Sequence, residues 1–246
     1  MRDIDQSSAH ARIEAARAAQ SPTLDLSRCG LHEVPDAVRD LTHLESLHLQ
    51  FNNLDDLPDW LSGLDRLVDL NVQRNILEHV PEVVGSLTGL RKLDLSENNL
   101  EGEPLDLLGR LTNLRELALI DTRSDRLPES IGNLTHLTDL DLYLGWFHNS
   151  PESLPDTLGQ LTGLTRLELS RNGLTEVPGW VRHLTNLRVL GLWMNDILEI
   201  PEWIGELTEL REISLPGEPE ERTLALLRRL PHLRKLSSDE GDVDLG

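Results

Sequence analysis

The sequence predicts an α/β fold, a right-handed solenoid shaped as a horseshoe, with a concave parallel β-sheet and short convex helical or 3₁₀ turns. Two observations carry this. Leucine fills 54 of 246 positions, roughly a fifth of the chain, where it is ordinarily one of several common residues. Those leucines also recur at a fixed period. The pattern L-x-x-L-x-L-x-x-N-x-L-x-x-L-P reads LESLHLQFNNLDDLP from Leu44, LVDLNVQRNILEHVP from Leu67, LTRLELSRNGLTEVP from Leu164 and LRVLGLWMNDILEIP from Leu187. Units begin at 21, 44, 67, 90, 114, 137, 164, 187 and 210, with a truncated one from 233. A fixed period of this length marks stacked units that cannot bury their apolar faces alone.

The chain divides into three parts. Residues 1–20 predict an N-terminal capping helix. Ala9, Ile13 and Ala16 share one side at helical spacing, Ser7 or Ser8 can cap the start, and Pro22 ends it. Residues 21–232 hold nine repeats. In each, apolar positions 4 and 6 flank a variable one, as Leu93 and Leu95 flank Asp94, which is the period of a short strand with one buried face. Position 9 is a structural column of Asn52, Asn75, Asn98, Asn172 and Asn195. An amide both donates and accepts, so it can satisfy backbone groups where the chain leaves the strand. A turn follows, as in Pro201, Trp203, Ile204 and Leu207, and Trp60, Trp180 and Trp203 are expected to pack there. The ninth repeat has Glu218 where Asn belongs, then TLALLRRL as a closing helix. Residues 233–246 are expected to form a last edge strand and a frayed acidic tail.

These residues resemble the leucine-rich repeat family. More narrowly they resemble its intracellular 23-residue Leu-Pro class, as in Ras-associated repeat proteins and the repeat domains of Roco proteins. The resemblance spans roughly residues 21–238 and implies the solenoid. It names an architecture and no ligand. In that family Cys substitutes for Asn at position 9, which implies a buried structural role for Cys29.

Composition excludes several functions. With 23 basic and 43 acidic residues the formal net charge is −20, the wrong sign for nucleic acid or an anionic membrane. The first 20 residues lack an apolar signal core, and no run is long enough to span a bilayer. A cytoplasmic chain is expected. No phosphate-binding loop, nucleophile elbow, zinc-binding pair of His or Cys-x-x-Cys is present, so no enzyme, cofactor or metal is expected. Asn133-Leu134-Thr135 reads as a repeat turn and not as a glycosylation site. Asp141 and Glu168 fall on adjacent strands, and a divalent ion between them is weighed below a plain solvated acidic face.

Function should lie in what does not repeat. Positions 5, 7 and 8 line the concave wall, and in repeats five to eight they turn apolar at Ile120, Tyr143, Leu144, Trp193 and Met194, with Trp146 at position 10. Clusters of this kind mark interaction surfaces. The same region breaks the pattern. Thr122, Ser124 and Gly145 stand at pattern positions, and repeat six carries extra residues within His148–Ser153. Tyr143 and Trp193 flank Ser170 across two strand spacings, about 9–10 Å, a slot for one inserted group. Asp121, Asp141, Glu168 and Arg171 would form a mainly acidic rim. The expected partner is a protein or peptide with an apolar anchor and basic residues. The alternative is a glycan or other small ligand stacked on Tyr143 and Trp193. The two capped ends predict a monomer.

Overall fold

The structure is a computed structural model, and it describes residues 6–101, 105–124, 126–145, 153–239 and 241–243, excluding the side chains of 6 and 7. After helix α1 (Gln6–Ala19) comes one three-residue strand per repeat. These are β1 (Thr23–Asp25), β2 (Ser46–His48), β3 (Asp69–Asn71), β4 (Lys92–Asp94) and β5 (Glu116–Ala118). They continue as β6 (Asp139–Asp141), β7 (Arg166–Glu168), β8 (Val189–Gly191) and β9 (Glu212–Ser214). Helix α2 (Glu221–Leu227), β10 (Lys235–Ser238) and β11 (Gly241–Val243) close the chain. The eleven strands form one sheet in sequence order. β1 to β10 pair in parallel, and each register joins equivalent positions, such as Leu140 to Leu167 and Leu167 to Leu190. The middle leucine of β1 to β8 and Ile213 of β9 point into the core, and Leu47, Leu70, Leu140, Leu167 and Leu190 are fully buried.

The chain leaves every strand in the same way. Position 8 adopts the left-handed conformation in Arg28, Phe51, Arg74, Glu97, Asp121, Leu144, Arg171 and Met194, with φ between 48 and 60°. Position 9 then turns inward. Asn75 donates to the Leu49 and Val72 carbonyls at 3.1 and 2.9 Å and accepts from the Leu54 amide at 3.0 Å. Asn52, Asn98, Asn172 and Asn195 make equivalent bonds to their own strand and the preceding one. Each such rung satisfies backbone groups that would otherwise be buried without partners. Cys29 fills this slot in the first repeat, buried, with no preceding strand to bridge.

Among the described residues eight 3₁₀ helices run opposite the strands, one for each of the first eight repeats, from η1 (Asp36–Asp40), η2 (Asp59–Gly63) and η3 (Glu82–Ser86) to η8 (Glu202–Glu206). Between them lie η4 (Asp106–Arg110), η5 (Glu129–Asn133), η6 (Asp156–Gln160) and η7 (Gly179–His183). A proline precedes most of them, as Pro58 and Pro201 do, because its fixed φ suits a helix start and no amide is needed there. Trp180 is buried among these turns, and Trp60 and Trp203 pack half-buried against the same core. The fourth residue is glycine in η3, η4, η5, η6 and η8. A Cβ at Gly132 would sit 2.7 Å from the Thr157 Cβ and 2.8 Å from its carbonyl oxygen. These glycines let consecutive turns stack in close contact.

Both ends differ in detail from expectation. α1 is described from Gln6, so Ser7 and Ser8 lie within the helix and not before its first turn. Ala9, Ile13 and Ala16 are buried against the first repeat. Arg12 donates to the Asp25 and Ser27 carbonyls at 3.0 and 3.2 Å, covering acceptors on the open edge of β1. At the other end, β10 is not the edge strand. β11 pairs with it antiparallel, Leu236 opposite Val243. The turn relies on Gly241, whose φ of 122° is open only to glycine. Asp239 accepts from the Gly217 amide at 3.0 Å, supplying an acceptor in a repeat that lacks its asparagine. The rest of the acidic tail, residues 244–246, lies outside the described residues.

Candidate functional site

The strand face carries positions 3 and 5 of every strand, with positions 7 and 8 beyond them. β5 to β8 are consecutive in the sheet, so Ala118, Asp141, Glu168 and Gly191 form one row. Ile120, Asp121, Tyr143, Leu144 and Trp193 are half-buried along the adjoining border. Arg171 is exposed there, and Met194 retains 44% of its surface. Ser170, between the Tyr143 and Trp193 positions, is buried. Trp146 and residues 148–152 of the expected loop lie outside the described residues.

The acidic rim is not free carboxylate. Arg166 Nη1 reaches Asp141 at 2.9 Å and Asp139 at 3.1 Å, and its Nη2 lies 3.8 Å from Glu168. Burial works against the Arg166 charge, but Asp141 and Asp139 outweigh it and raise its pKa. Asp141 and Glu168 are strand partners as expected. The Arg166 guanidinium occupies the space between Asp141 and Glu168, and no metal-binding group of three or more side chains occurs among the described residues. Glu168 also accepts from the Ser170 amide at 3.0 Å and from the Ser170 hydroxyl. Its carboxylate lies over Gly191, where a Cβ would come within 1.9 Å of it. Arg171 donates to the Tyr143 hydroxyl at 3.2 Å and so fixes the ring.

Arg166 and Asp139 escaped the sequence reading because only positions 5, 7 and 8 were followed down the stack. The signal was available, since a period of two puts position 3 on the same face as position 5. The early repeats also hold an aromatic there. Phe51 is covered by the Arg28 guanidinium 3.8 Å from its centroid and by that of Arg74 at 5.1 Å. Both faces of that ring can be occupied by cations in this way.

Asp94 continues the acidic row across Ala118. Burial pushes its carboxyl above the usual range, hydrogen bonds from Ser96 and Asn71 partly offset this, and the charge of Asp141 adds to the rise. The folded chain therefore binds the Asp94 proton at higher pH than the unfolded chain does. Ionised Asp94 costs stability at neutral pH, and that cost disappears as pH falls towards the ordinary carboxylate value of about 4. Urea unfolding across this range should show Asp94 contributing increasing stability on acidification, a contribution that Asp94→Asn removes. Identical pH profiles for the two chains would contradict this assignment.

A model of the leucine-rich repeat region matches residues 22–119 and again 89–242. The chain belongs to the leucine-rich repeat family. Among solved structures, this leucine-rich repeat chain is similar to internalin C2 of Listeria monocytogenes, with 17% identity, a TM-score of 0.68 and coverage of 93% of this chain and 92% of that one. A leucine-rich repeat protein of Leptospira interrogans is 27% identical, with a TM-score of 0.58 and coverage of 91% and 70%. A plant peptide hormone receptor, solved in complex with RGF2, is 26% identical with a TM-score of 0.58, covering 84% of this chain and 37% of the receptor. No curated protein matches by sequence. Among the described residues no helix is long and apolar enough to cross a membrane. Leucine-rich repeats are commonly interaction scaffolds.

Proposed function

We propose that this leucine-rich repeat chain is a non-enzymatic, cytoplasmic scaffold that binds a protein or peptide on its strand face, centred on repeats five to eight. One observation carries the reading. Ile120 in repeat five, Tyr143 and Leu144 in repeat six, and Trp193 and Met194 in repeat eight lie along one border of the sheet, on either side of Ser170 and Arg171, each with surface left for a partner. Tyrosine, tryptophan and methionine are the side chains enriched in interface cores. Tyr143 is held by Arg171, which lowers the entropy lost when a partner docks against it. The peptide hormone receptor supplies a precedent for this fold in peptide recognition. The partner would bring an apolar anchor for the border between Tyr143 and Trp193. It would bring Lys or Arg for Asp121 and for Asp141 and Glu168, which with Asp139 and Arg166 form a four-membered cluster that stays net negative. With a net charge of −20, a second copy of this chain is repelled.

Affinity capture from cell extract tests the proposal. The wild-type chain should retain a protein that Tyr143→Ala/Trp193→Ala loses. Truncating one buried aromatic anchor costs about 2 kcal/mol, roughly thirtyfold in affinity. Equal retention by both chains, with matching circular dichroism spectra, would remove this face as the site.

A further inference from the structure

Beyond the strand face, one large hydrophobic side chain among the described residues stands almost wholly in water. Leu198 is 91% exposed, against 53% for Ile76 and 44% for Met194. It fills position 12 of repeat eight, a slot held by Asp55, Glu78 and Thr175 in repeats two, three and seven, all exposed. A polar residue is therefore ordinary at this position, and folding places no demand for leucine there. Met194 belongs to the same repeat, so two exposed apolar side chains frame one loop between β8 and η8.

The collar of this loop is acidic. Asp196 and Glu199 flank Leu198 in the chain. Asp239 comes back from β10 to accept from the Met194 amide at 3.4 Å. Glu202, which begins η8, binds Arg222 at 2.6 Å, and the charges of Glu199 and Glu220 also act on that guanidinium. One cation thus answers to several carboxylates.

We propose that Met194 and Leu198 extend the partner site off the strand face and over the rim of repeat eight, where they take an apolar segment of the partner flanked by Lys or Arg. This rests on the strand-face reading through Met194, which borders both surfaces. Charge complementarity selects the occupant. A second copy would press the same acidic collar against itself, and an anionic lipid surface meets the same repulsion.

The test is a display library of random peptides selected on the whole folded chain, followed by fluorescence anisotropy of the enriched peptides. Leu198→Ser removes the apolar contact, and Asp196→Asn/Glu199→Gln removes the flanking charge. Leu198 is too exposed for its loss to disturb the core. The enriched peptides should carry Lys or Arg beside apolar residues. Leu198→Ser should weaken them at least tenfold, and the charge variant should flatten the salt dependence of binding. Unchanged affinity for Leu198→Ser, enrichment of acidic or uncharged peptides, failure to enrich any peptide, or self-association through this rim in light scattering would each overturn the proposal. Trp193→Ala separates the two readings. If it abolishes binding while Leu198→Ser does not, the rim fails and the strand face stands. If Leu198→Ser abolishes binding while Trp193→Ala does not, the strand-face reading fails, and with it the claim that the rim extends that site.

Discussion

Replacing Asn172 with leucine should lower the unfolding free energy by about 1.5–4.5 kcal/mol. Asn172 is fully buried. Its Oδ1 accepts from the Gly145 amide at 2.8 Å, and its Nδ2 donates to the Leu142 and Leu169 carbonyls at 2.8 and 2.9 Å. Leucine matches its size but removes these three bonds, leaving the Leu169 carbonyl with the Asn195 amide at 3.0 Å and the Leu142 carbonyl with the Gly145 amide. The Gly145 amide keeps only a longer bond of 3.2 Å to Leu142. Each hydrogen bond lost is worth roughly 0.5–1.5 kcal/mol. The position matters because the two preceding repeats have no asparagine rung. Thr122 stands in that slot in repeat five and reaches only the Leu119 carbonyl, at 3.3 Å, and Gly145 stands in it in repeat six. Solenoid stability is a sum of nearest-neighbour interfaces, so a weak junction cannot be compensated from afar. Urea unfolding followed by circular dichroism checks this. A loss below about 1 kcal/mol would show that the ladder does not hold repeats six and seven together.

Two alanine substitutions on the turn face should act in opposite directions. Gly132→Ala places a Cβ within 2.7 Å of the Thr157 Cβ and 2.8 Å of its backbone oxygen, so the stack of η5 on η6 must open. Overpacking against backbone costs about 1–3 kcal/mol, and the upper end is expected because a carbonyl cannot rotate away as a side chain does. Gly63, the last residue of η2, has nothing within 4 Å of the same atom. Neither glycine has a positive φ. Gly63→Ala should therefore stabilise by about 0.5 kcal/mol, by restricting the unfolded chain alone. Thermal unfolding of the pair checks both signs. Equal effects would mean that close stacking of the turns is not why these glycines are there.

The strands were legible because each depends on a local pattern repeated many times. All nine full repeats place their strand at positions 3 to 5, since the leucines at positions 4 and 6 leave no other face to bury. Features that occur once were harder to read. The hydrogen bonds of Arg12 to the edge of β1 join residues 13 and 15 apart, with no repeat to reveal them. β11 pairs antiparallel through a single glycine turn, so its pattern matches no other unit. At the site, the apolar border followed from reading the variable positions. Its electrostatics did not, because Arg166 lies on a strand position that was passed over, and its charge changes what Asp141 and Glu168 can do. Leu198 was missed because it lies off the concave wall.

A photoreactive residue placed in turn at Arg171, exposed beside the strand face, and at Glu129, exposed on the turn face, tests most directly where a captured protein docks. Docking across repeats five to eight requires cross-linking from position 171 and none from position 129. Cross-linking from 129 alone would put the partner on the opposite side of the solenoid.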